Sequence, residues 1–248
     1  VHGLINIYQA IAESCNVFFY HLGGGYGNFR GLGLDRLIKY FRLFGLGSFL
    51  GIDLPNEKNG FVPTIEWKKE TKKEDWYIGD IYHLSIGQGD LTVTPLQMAI
   101  ATAAIANNGV LWRPQIVDKI IDSEKNIIKE FAPQAIRKIN EPLSVLAPSD
   151  SLRSAYIKKE NFKIIQDAMR LTVTAGSAQS LKTLSVKVAG KTGTAQVNGD
   201  KKPDAWFTSF APYENPTIVL TILVENGGEG SIIAVPIAKN VLEWYFNK

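Results

Sequence analysis

The chain has 248 residues, 45% of them hydrophobic, which is enough for one large hydrophobic core or two small ones. Its net charge of +3 and isoelectric point near 8.8 are too mild to predict nucleic-acid binding. A single cysteine excludes an internal disulfide, so cysteine usage does not indicate an oxidising compartment.

The first predicted elements are helical. Apolar spacing over Ile5–Leu22 predicts helical segments that meet at Ser14-Cys15-Asn16 and end at Gly23-Gly24-Gly25. The side chains expected to face a core are Ile11, Val17, Phe18 and Phe19. Asp35–Phe44 has the spacing of a second amphipathic helix. From Gly45 to Gly87 the glycine, proline and charge content predicts loops and short strands, with a solvated loop over Lys68–Asp75.

The longest uncharged stretch, Leu91–Trp112, predicts a buried core helix. Its apolar centre, Leu96–Ala106, is about half as long as a membrane-spanning helix. Thr94 is suited to the N-cap, Pro95 to the first helical position and Gly109 to the end.

The second half of the chain alternates predicted strands and helices. A hairpin is predicted over Gln115–Asp122 and Asn126–Phe131, followed by a helix over Lys159–Thr172. The last predicted elements are the strand around Ala189–Ala195, the strands Ala205–Ala211 and Thr217–Glu225, and the helix Ile232–Phe246. Strands bracketed by helices on both sides favour an α+β fold with an antiparallel sheet covered on both faces.

The residues with the clearest chemical pattern are Lys191-Thr192-Gly193-Thr194, on a predicted strand, and Ser14-Cys15-Asn16, at a predicted helix junction. A Lys-Thr-Gly strand facing a Ser-x-Asn turn is typical of the active-serine enzymes that penicillin acylates. A phosphate-binding loop is excluded, because Ser185 stands where that motif needs glycine and a strand follows Lys191. Two structural alternatives stay open: Lys191 as an exposed strand lysine, and Ser14 and Asn16 as turn residues.

Further landmarks extend the pattern along nearly the whole chain. They are Gly45-Leu46-Gly47, Gly51-Ile52-Asp53-Leu54-Pro55, Glu57, Gly60-Phe61-Val62-Pro63, Trp67-Lys68, Ser85-Ile86-Gly87-Gln88-Gly89, Thr94-Pro95-Leu96-Gln97, Ala205-Trp206-Phe207 and Ala211-Pro212. With them the chain resembles class B penicillin-binding proteins, and in particular the elongation-type branch, penicillin-binding protein 2. One departure is Asp204, where many relatives have histidine, so no role is assigned to that position.

The resemblance implies a β-lactamase/transpeptidase-like α+β fold. It also implies a nucleophilic serine in a Ser-x-x-Lys motif, but no serine of this chain has lysine three residues later. We therefore expect residues 1–248 to be one partial transpeptidase domain, incomplete at its N-terminus, without the nucleophile-bearing segment, the pedestal and the membrane anchor. By itself the chain is expected to be inactive.

The resemblance also implies a reaction and the residues for it. The parent protein would be a D,D-transpeptidase that cross-links peptidoglycan stem peptides through a serine acyl-enzyme during cell elongation. Ser14, Asn16, Lys191 and Thr194 are the candidate catalytic residues, and Thr192, Gly193 and Thr194 are the candidate substrate-binding residues. A strand lysine with neighbouring hydroxyls suits a substrate that ends in a carboxylate.

Some relatives hold zinc near the active site with a histidine, a cysteine and two aspartates. His2 and Cys15 could supply the first two ligands, with the aspartates in the absent upstream segment. The alternative is that Cys15 is a small buried hydrophobe and His2 a frayed terminal residue. No cofactor is required for the reaction.

The implied partners are stem peptides ending in D-Ala-D-Ala, β-lactam antibiotics, a SEDS-family glycosyltransferase and the rod-shape complex, and no nucleic acid. The domain is expected on the extracytoplasmic (periplasmic) side of a cell membrane. Two alternatives stay open, a non-catalytic penicillin-sensing module of the same fold and a serine β-lactamase.

Overall fold

The computed structural model describes residues 2–142, 156–197 and 201–248. Its helices are α1 Ile7–Ala12, α2 Asn16–Gly24, α3 Leu34–Leu43, α4 Ile65–Trp67, α5 Ile78–Ser85, α6 Pro95–Ala106, α7 Lys159–Thr174 and α8 Ala234–Phe246. Its strands are β1 Val110–Trp112, β2 Lys119–Ile121, β3 Ile127–Glu130, β4 Ala135–Lys138, β5 Ala189–Ala195, β6 Asp204–Ala211 and β7 Ile218–Val224. A π-helical turn, Lys68–Lys72, continues α4, and a 3₁₀ turn spans Gln179–Thr183.

The central sheet has the order β5-β6-β7, and both strand pairs are antiparallel. Because side chains alternate along a strand, each face of this sheet has its own core. On one face Ala205 and Phe207 pack in a cluster with Ala238 and Leu242 of α8. On the other, Phe210 packs in a cluster with residues of α6 and α7. The prediction of an antiparallel sheet covered by helices on both faces is therefore confirmed.

Helix α6 begins as its sequence predicts. The Thr94 hydroxyl accepts a hydrogen bond from the Gln97 N–H, the Gln97 side chain accepts one from the Thr94 N–H, and Pro95 is the first helical residue. The Gln97 side chain is only 1% exposed, and its amide donates to the carbonyls of Ser48 and Asn59. One buried amide thus starts the helix and fixes the preceding loop to it.

The region from Gly45 to Gly87 corrects the sequence prediction. It contains α4, the π-helical turn and α5, where loops and short strands were expected. Lys68 was predicted to lie in a solvated loop, but it is 4% exposed and its ammonium lies 2.6 Å from the Asp80 carboxylate. A charge-rich segment can bury one of its charges when a partner is within reach, and here that partner lies twelve residues later.

Two smaller antiparallel sheets complete the fold. The pair β2–β3 confirms the predicted hairpin in shorter form, whereas the pair β1–β4 was not predicted. The two helices around Ser14 are confirmed, but Val17, predicted to face a core, is 58% exposed. Within the described residues, no helix is long and apolar enough to cross a membrane.

Candidate active site

A cleft of about 500 Å³ lies at the edge of the central sheet, along β5. It brings together the six predicted residues from the two sequence motifs, which are Ser14, Asn16, Lys191, Thr192, Gly193 and Thr194. Lys191 and Asn16 therefore share one cleft, as a Lys-Thr-Gly strand facing a Ser-x-Asn turn requires. Their catalytic and binding roles stay predictions.

Ser14 and Lys191, 177 residues apart in the chain, are in direct contact. The Lys191 ammonium donates to the Ser14 hydroxyl over 2.8 Å and to the main-chain carbonyl of Thr192 over 2.7 Å. Ser14 lies between α1 and α2 with a φ of 53°, a left-handed conformation that is uncommon for serine. Such backbone strain is held by surrounding structure and is frequent at functional sites.

The electrostatic state of Lys191 follows from its burial. Loss of contact with water lowers the pKa of Lys191 from 10.5 to about 8. No ion pair formed among the described residues involves Lys191. At neutral pH the ammonium is still mostly protonated, and it is ready to pair with an incoming carboxylate.

The hydroxyls of Thr192 and Thr194 lie on the opposite face of the sheet from the Lys191 side chain. The Thr192 hydroxyl is 2.7 Å from the Ser177 hydroxyl, and the Thr194 hydroxyl accepts a hydrogen bond from the Gly230 N–H over 3.3 Å. The bond from Gly230 does not use the proton of the Thr194 hydroxyl, and both threonines line the cleft, so their predicted contacts to substrate stay predictions. A side chain at Gly193 would come within 3.1 Å of Trp206, so this glycine also permits close strand packing.

The main chain of β5 offers a second set of polar groups. Strand β5 pairs with β6 on one side only within the described part of the chain, which leaves its other edge along the cleft. The carbonyl of Thr194 and the N–H of Gln196 both point to that edge, since both bond to the side chain of Gln88. The N–H and C=O of one strand residue point to the same side, so the Thr194 N–H also faces the cleft.

Several residues that line the cleft were not predicted from the sequence. They are Phe19, Ser85, Ile86, Gln88, Ser177 and Ser231. Phe19 had been predicted to face a core. Ser85, Ile86 and Gln88 belong to a landmark of the family resemblance, which could have identified them. Ser177 follows Gly176, where a Cβ atom would lie 2.4 Å from the Ala12 carbonyl oxygen, and this close approach brings Ser177 to the cleft.

The two candidate zinc ligands do not form a metal site by themselves. His2 is exposed, Cys15 is 8% exposed at the start of α2, and no group of three or more His, Cys, Asp or Glu suited to a metal occurs among the described residues. Two ligands are too few for tetrahedral zinc. The described residues thus do not fit a complete zinc site.

The family model for the penicillin-binding protein transpeptidase domain matches residues 1–243. The chain belongs to this family. It is 35% identical over its full length to the peptidoglycan D,D-transpeptidase MrdA of Haemophilus influenzae, and 30% identical over 94% of its length to that of Escherichia coli K12. It spans 37% and 36% of the length of these two relatives.

Solved structures support the same assignment. PBP2 of Pseudomonas aeruginosa, in complex with WCK 5153, matches 97% of the chain with a TM-score of 0.77 and 31% identity, and the match covers 49% of that protein's chain. PBP2 of Helicobacter pylori, in a complex with MreC, matches 98% of the chain with a TM-score of 0.75 and 32% identity, covering 41% of that protein's chain. The relatives therefore place the chain in the PBP2 (MrdA) transpeptidase branch.

Proposed function

We propose that this chain supplies the Lys-Thr-Gly and Ser-x-Asn side of the active site of a peptidoglycan D,D-transpeptidase that works during cell elongation and is acylated by β-lactams. The observation that carries the proposal is the 2.8 Å contact between Lys191 and Ser14 in a cleft along the open edge of β5. This arrangement sets a cation, a hydroxyl and strand-edge hydrogen-bond donors around one small volume.

The substrate is a stem peptide that ends in D-Ala-D-Ala. Lys191 pairs with its terminal carboxylate, and the peptide lies along β5 as an added strand. The Thr194 N–H donates to the oxygen of the carbonyl under attack and forms part of the oxyanion hole. In this proposal Ser14, which contacts the Lys191 ammonium, passes a proton, and Asn16, which lines the same cleft, bonds to the substrate amide.

The reaction proceeds in two acyl transfers. A serine oxygen bonds to the carbonyl carbon between the two D-alanines, the carbon–nitrogen bond breaks, and D-alanine leaves with a proton passed through Ser14. The amine nitrogen of a second stem peptide then bonds to the acyl carbon, the ester carbon–oxygen bond breaks, and the proton that the amine loses returns to the serine oxygen. No Ser-x-x-Lys occurs in these 248 residues, so we propose that the serine comes from outside them and that the chain alone is inactive.

Location and partners follow the same proposal. We place the domain on the extracytoplasmic side of a membrane, with its anchor outside this chain. Two similar structures are of assemblies, one of PBP2 with MreC and one of a peptidoglycan synthase complex that coordinates polymerization and crosslinking. By analogy we propose a SEDS-family glycosyltransferase and the rod-shape complex as partners here.

Penicillin labelling of the gene product, as it is made in the cell, tests the proposed function. We expect covalent labelling by a fluorescent penicillin, slow release of the label, and transfer of a D-Ala-D-Ala donor peptide to an acceptor amine. The 248-residue chain expressed alone should stay unlabelled. Fast release would instead identify a β-lactamase, and labelling without peptide transfer would identify a penicillin-sensing module. Absence of labelling would contradict the proposal.

Metal analysis of the same gene product tests the zinc hypothesis separately. If His2 and Cys15 are two of four ligands, the protein should hold about one zinc per molecule, and Cys15→Ala should lower its zinc content at least about tenfold. The chain alone, with two ligands, should be zinc-free after dialysis. An unchanged metal content in a folded Cys15→Ala protein would show that Cys15 is only a buried core residue.

A further inference from the structure

The side chain of Gln88 reaches across the cleft and bonds to the open edge of β5 at two points. Its amide nitrogen donates to the Thr194 carbonyl over 2.9 Å, and its amide oxygen accepts from the Gln196 N–H over 3.2 Å. These are main-chain groups that an added strand would use. The primary amide of Gln88 therefore occupies two hydrogen-bonding groups of the strand edge that an added strand would otherwise take.

The main chain of Gln88 is anchored while its side chain can rotate. Its N–H donates to the His83 carbonyl at the end of α5 over 2.9 Å. It lies between Gly87 and Gly89, which have φ values of 72° and 81° and therefore a backbone that favours glycine. The side chain is half-buried at the cleft wall, so a change of rotamer is enough to free the strand edge.

The Gln88 amide occupies a hydrogen-bonding group of β5 that the proposed substrate would also use, the Thr194 carbonyl. A substrate carbonyl that accepts from the Thr194 N–H belongs to a residue whose own N–H points at the Thr194 carbonyl, because both groups of Thr194 point to the same side. Gln88 already donates to that carbonyl. A ligand N–H beside the reacting carbonyl approaches the same oxygen from the same edge of the strand, so such a ligand competes with the Gln88 amide, and a ligand without this N–H does not.

We propose that Gln88 is a displaceable gate. It distinguishes ligands that carry an N–H beside the carbonyl under attack from ligands that do not. This inference rests on the proposed function, since it uses the same strand edge and the same reacting carbonyl. In the free protein Gln88 keeps Thr194 and Gln196 hydrogen-bonded, and the substrate amide takes its place on binding. The gate lowers the apparent affinity for every ligand that must open it.

Acylation rates of the gene product with two β-lactams test the gate. Benzylpenicillin has an acylamide N–H beside its β-lactam carbonyl, and imipenem has a hydroxyethyl group there. Gln88→Ala should raise the second-order acylation rate of benzylpenicillin by about threefold to tenfold, because one competing hydrogen-bond pair is gone. The rate with imipenem should change by less than about twofold. Gln115→Ala is the matched control, since the Gln115 amide also donates to a main-chain carbonyl but lies outside the cleft lining.

Three results with Gln88→Ala would contradict the gate proposal: equal changes in the acylation rates of both β-lactams, a lower rate with benzylpenicillin, or no change in either rate. Wild-type protein that neither compound acylates would instead contradict the proposed function. A second variant, Gln88→Met, keeps the side-chain length without hydrogen bonds and should match Gln88→Ala. Hydrogen exchange gives a readout without chemistry: the Gln196 amide should exchange faster in both variants of the full chain, and unchanged protection would also overturn the proposal.

Discussion

Replacing Lys191 with alanine is expected to slow penicillin acylation of the gene product by at least about a hundredfold. The variant loses the cation that pairs with the ligand carboxylate, together with the contact that orients the Ser14 hydroxyl. The time course of labelling by a fluorescent penicillin measures the effect. Labelling at the wild-type rate would mean that Lys191 has no role in acylation and is an ordinary strand lysine.

The stability of Lys191 variants separates a functional role from a structural one. A pKa held at about 8 rather than 10.5 means that burial of the ammonium costs roughly 3 kcal/mol of stability below pH 8. As pH rises from about 8 to 10.5 the folded protein loses this proton before the unfolded chain does, so the cost disappears. Lys191→Met should therefore raise the melting temperature at pH 7 while it abolishes labelling. A lower melting temperature would indicate that Lys191 supports the fold.

The same pKa predicts how acylation depends on pH. Above about pH 8 the free protein loses the Lys191 charge, and capture of a carboxylate weakens. Arginine stays protonated throughout this range, so Lys191→Arg should keep part of its acylation rate at pH 9 to 10 relative to pH 7. A matching alkaline decline in wild type and variant would assign the titration to another group.

The parts of this fold that could be predicted are the helices and strands whose bounds are set by nearby residues. The cap at Thr94, the strands around Lys191 and Ala205 and the closing helix all carry a periodic apolar side or a capping residue, and all formed within a few residues of their predicted bounds. The contact between Ser14 and Lys191 spans 177 residues, and periodicity does not encode it. The sharing of one cleft by the two motifs was predictable, because a Lys-Thr-Gly strand facing a Ser-x-Asn turn is typical of active-serine enzymes, but the direct contact was not predicted.

The parts that were missed depend on partners far along the chain. In the sequence Gln88 is a polar residue between two glycines. Its contact is with Thr194 of β5, 106 residues later, and the local sequence does not indicate it. Thr192 and Thr194 line the cleft, and their predicted contacts to substrate stay predictions, but the motif did not predict that their hydroxyls bond to Ser177 and Gly230. Motif membership thus located the cleft, whereas hydrogen-bond assignments within it needed the three-dimensional arrangement.

Lys68 illustrates the same limit, and it leads to the largest expected loss of stability. Its ammonium lies 2.6 Å from Asp80 and 3.5 Å from Glu74, and its side chain is 5% exposed. Removal of Asp80 leaves this cation buried without its nearer partner, and it also removes the carboxylate that accepts the Tyr77 N–H at the start of α5. Since Asp80 is itself 27% exposed, water offsets part of the loss.

We expect Asp80→Ala to lower the free energy of unfolding by about 2 to 3 kcal/mol, as measured by urea denaturation. Glu74→Ala is the matched control: Glu74 is 57% exposed, and its loss should cost less than about 1 kcal/mol. Equal effects of the two changes would mean that solvent, not Asp80, neutralises Lys68. A Lys68→Met/Asp80→Leu pair should recover part of the loss, because it removes the buried charge as well as its partner.

The pKa shifts of Lys68 and Asp80 determine how the stabilisation from this ion pair depends on pH. Burial raises the pKa of Asp80, but the hydrogen bonds from Lys68 and from the Tyr77 N–H outweigh it and lower the pKa overall. The hydrogen bond to Asp80 raises the pKa of Lys68 despite its burial. The pair therefore stabilises the protein fully between pH 3.8 and 10.5, and the contribution is lost as pH falls through the lowered pKa of Asp80 or rises through the raised pKa of Lys68.

Helix α5, which Asp80 caps, ends at Ser85 in the cleft wall, so Asp80→Ala should also slow acylation, whereas Glu74→Ala should not.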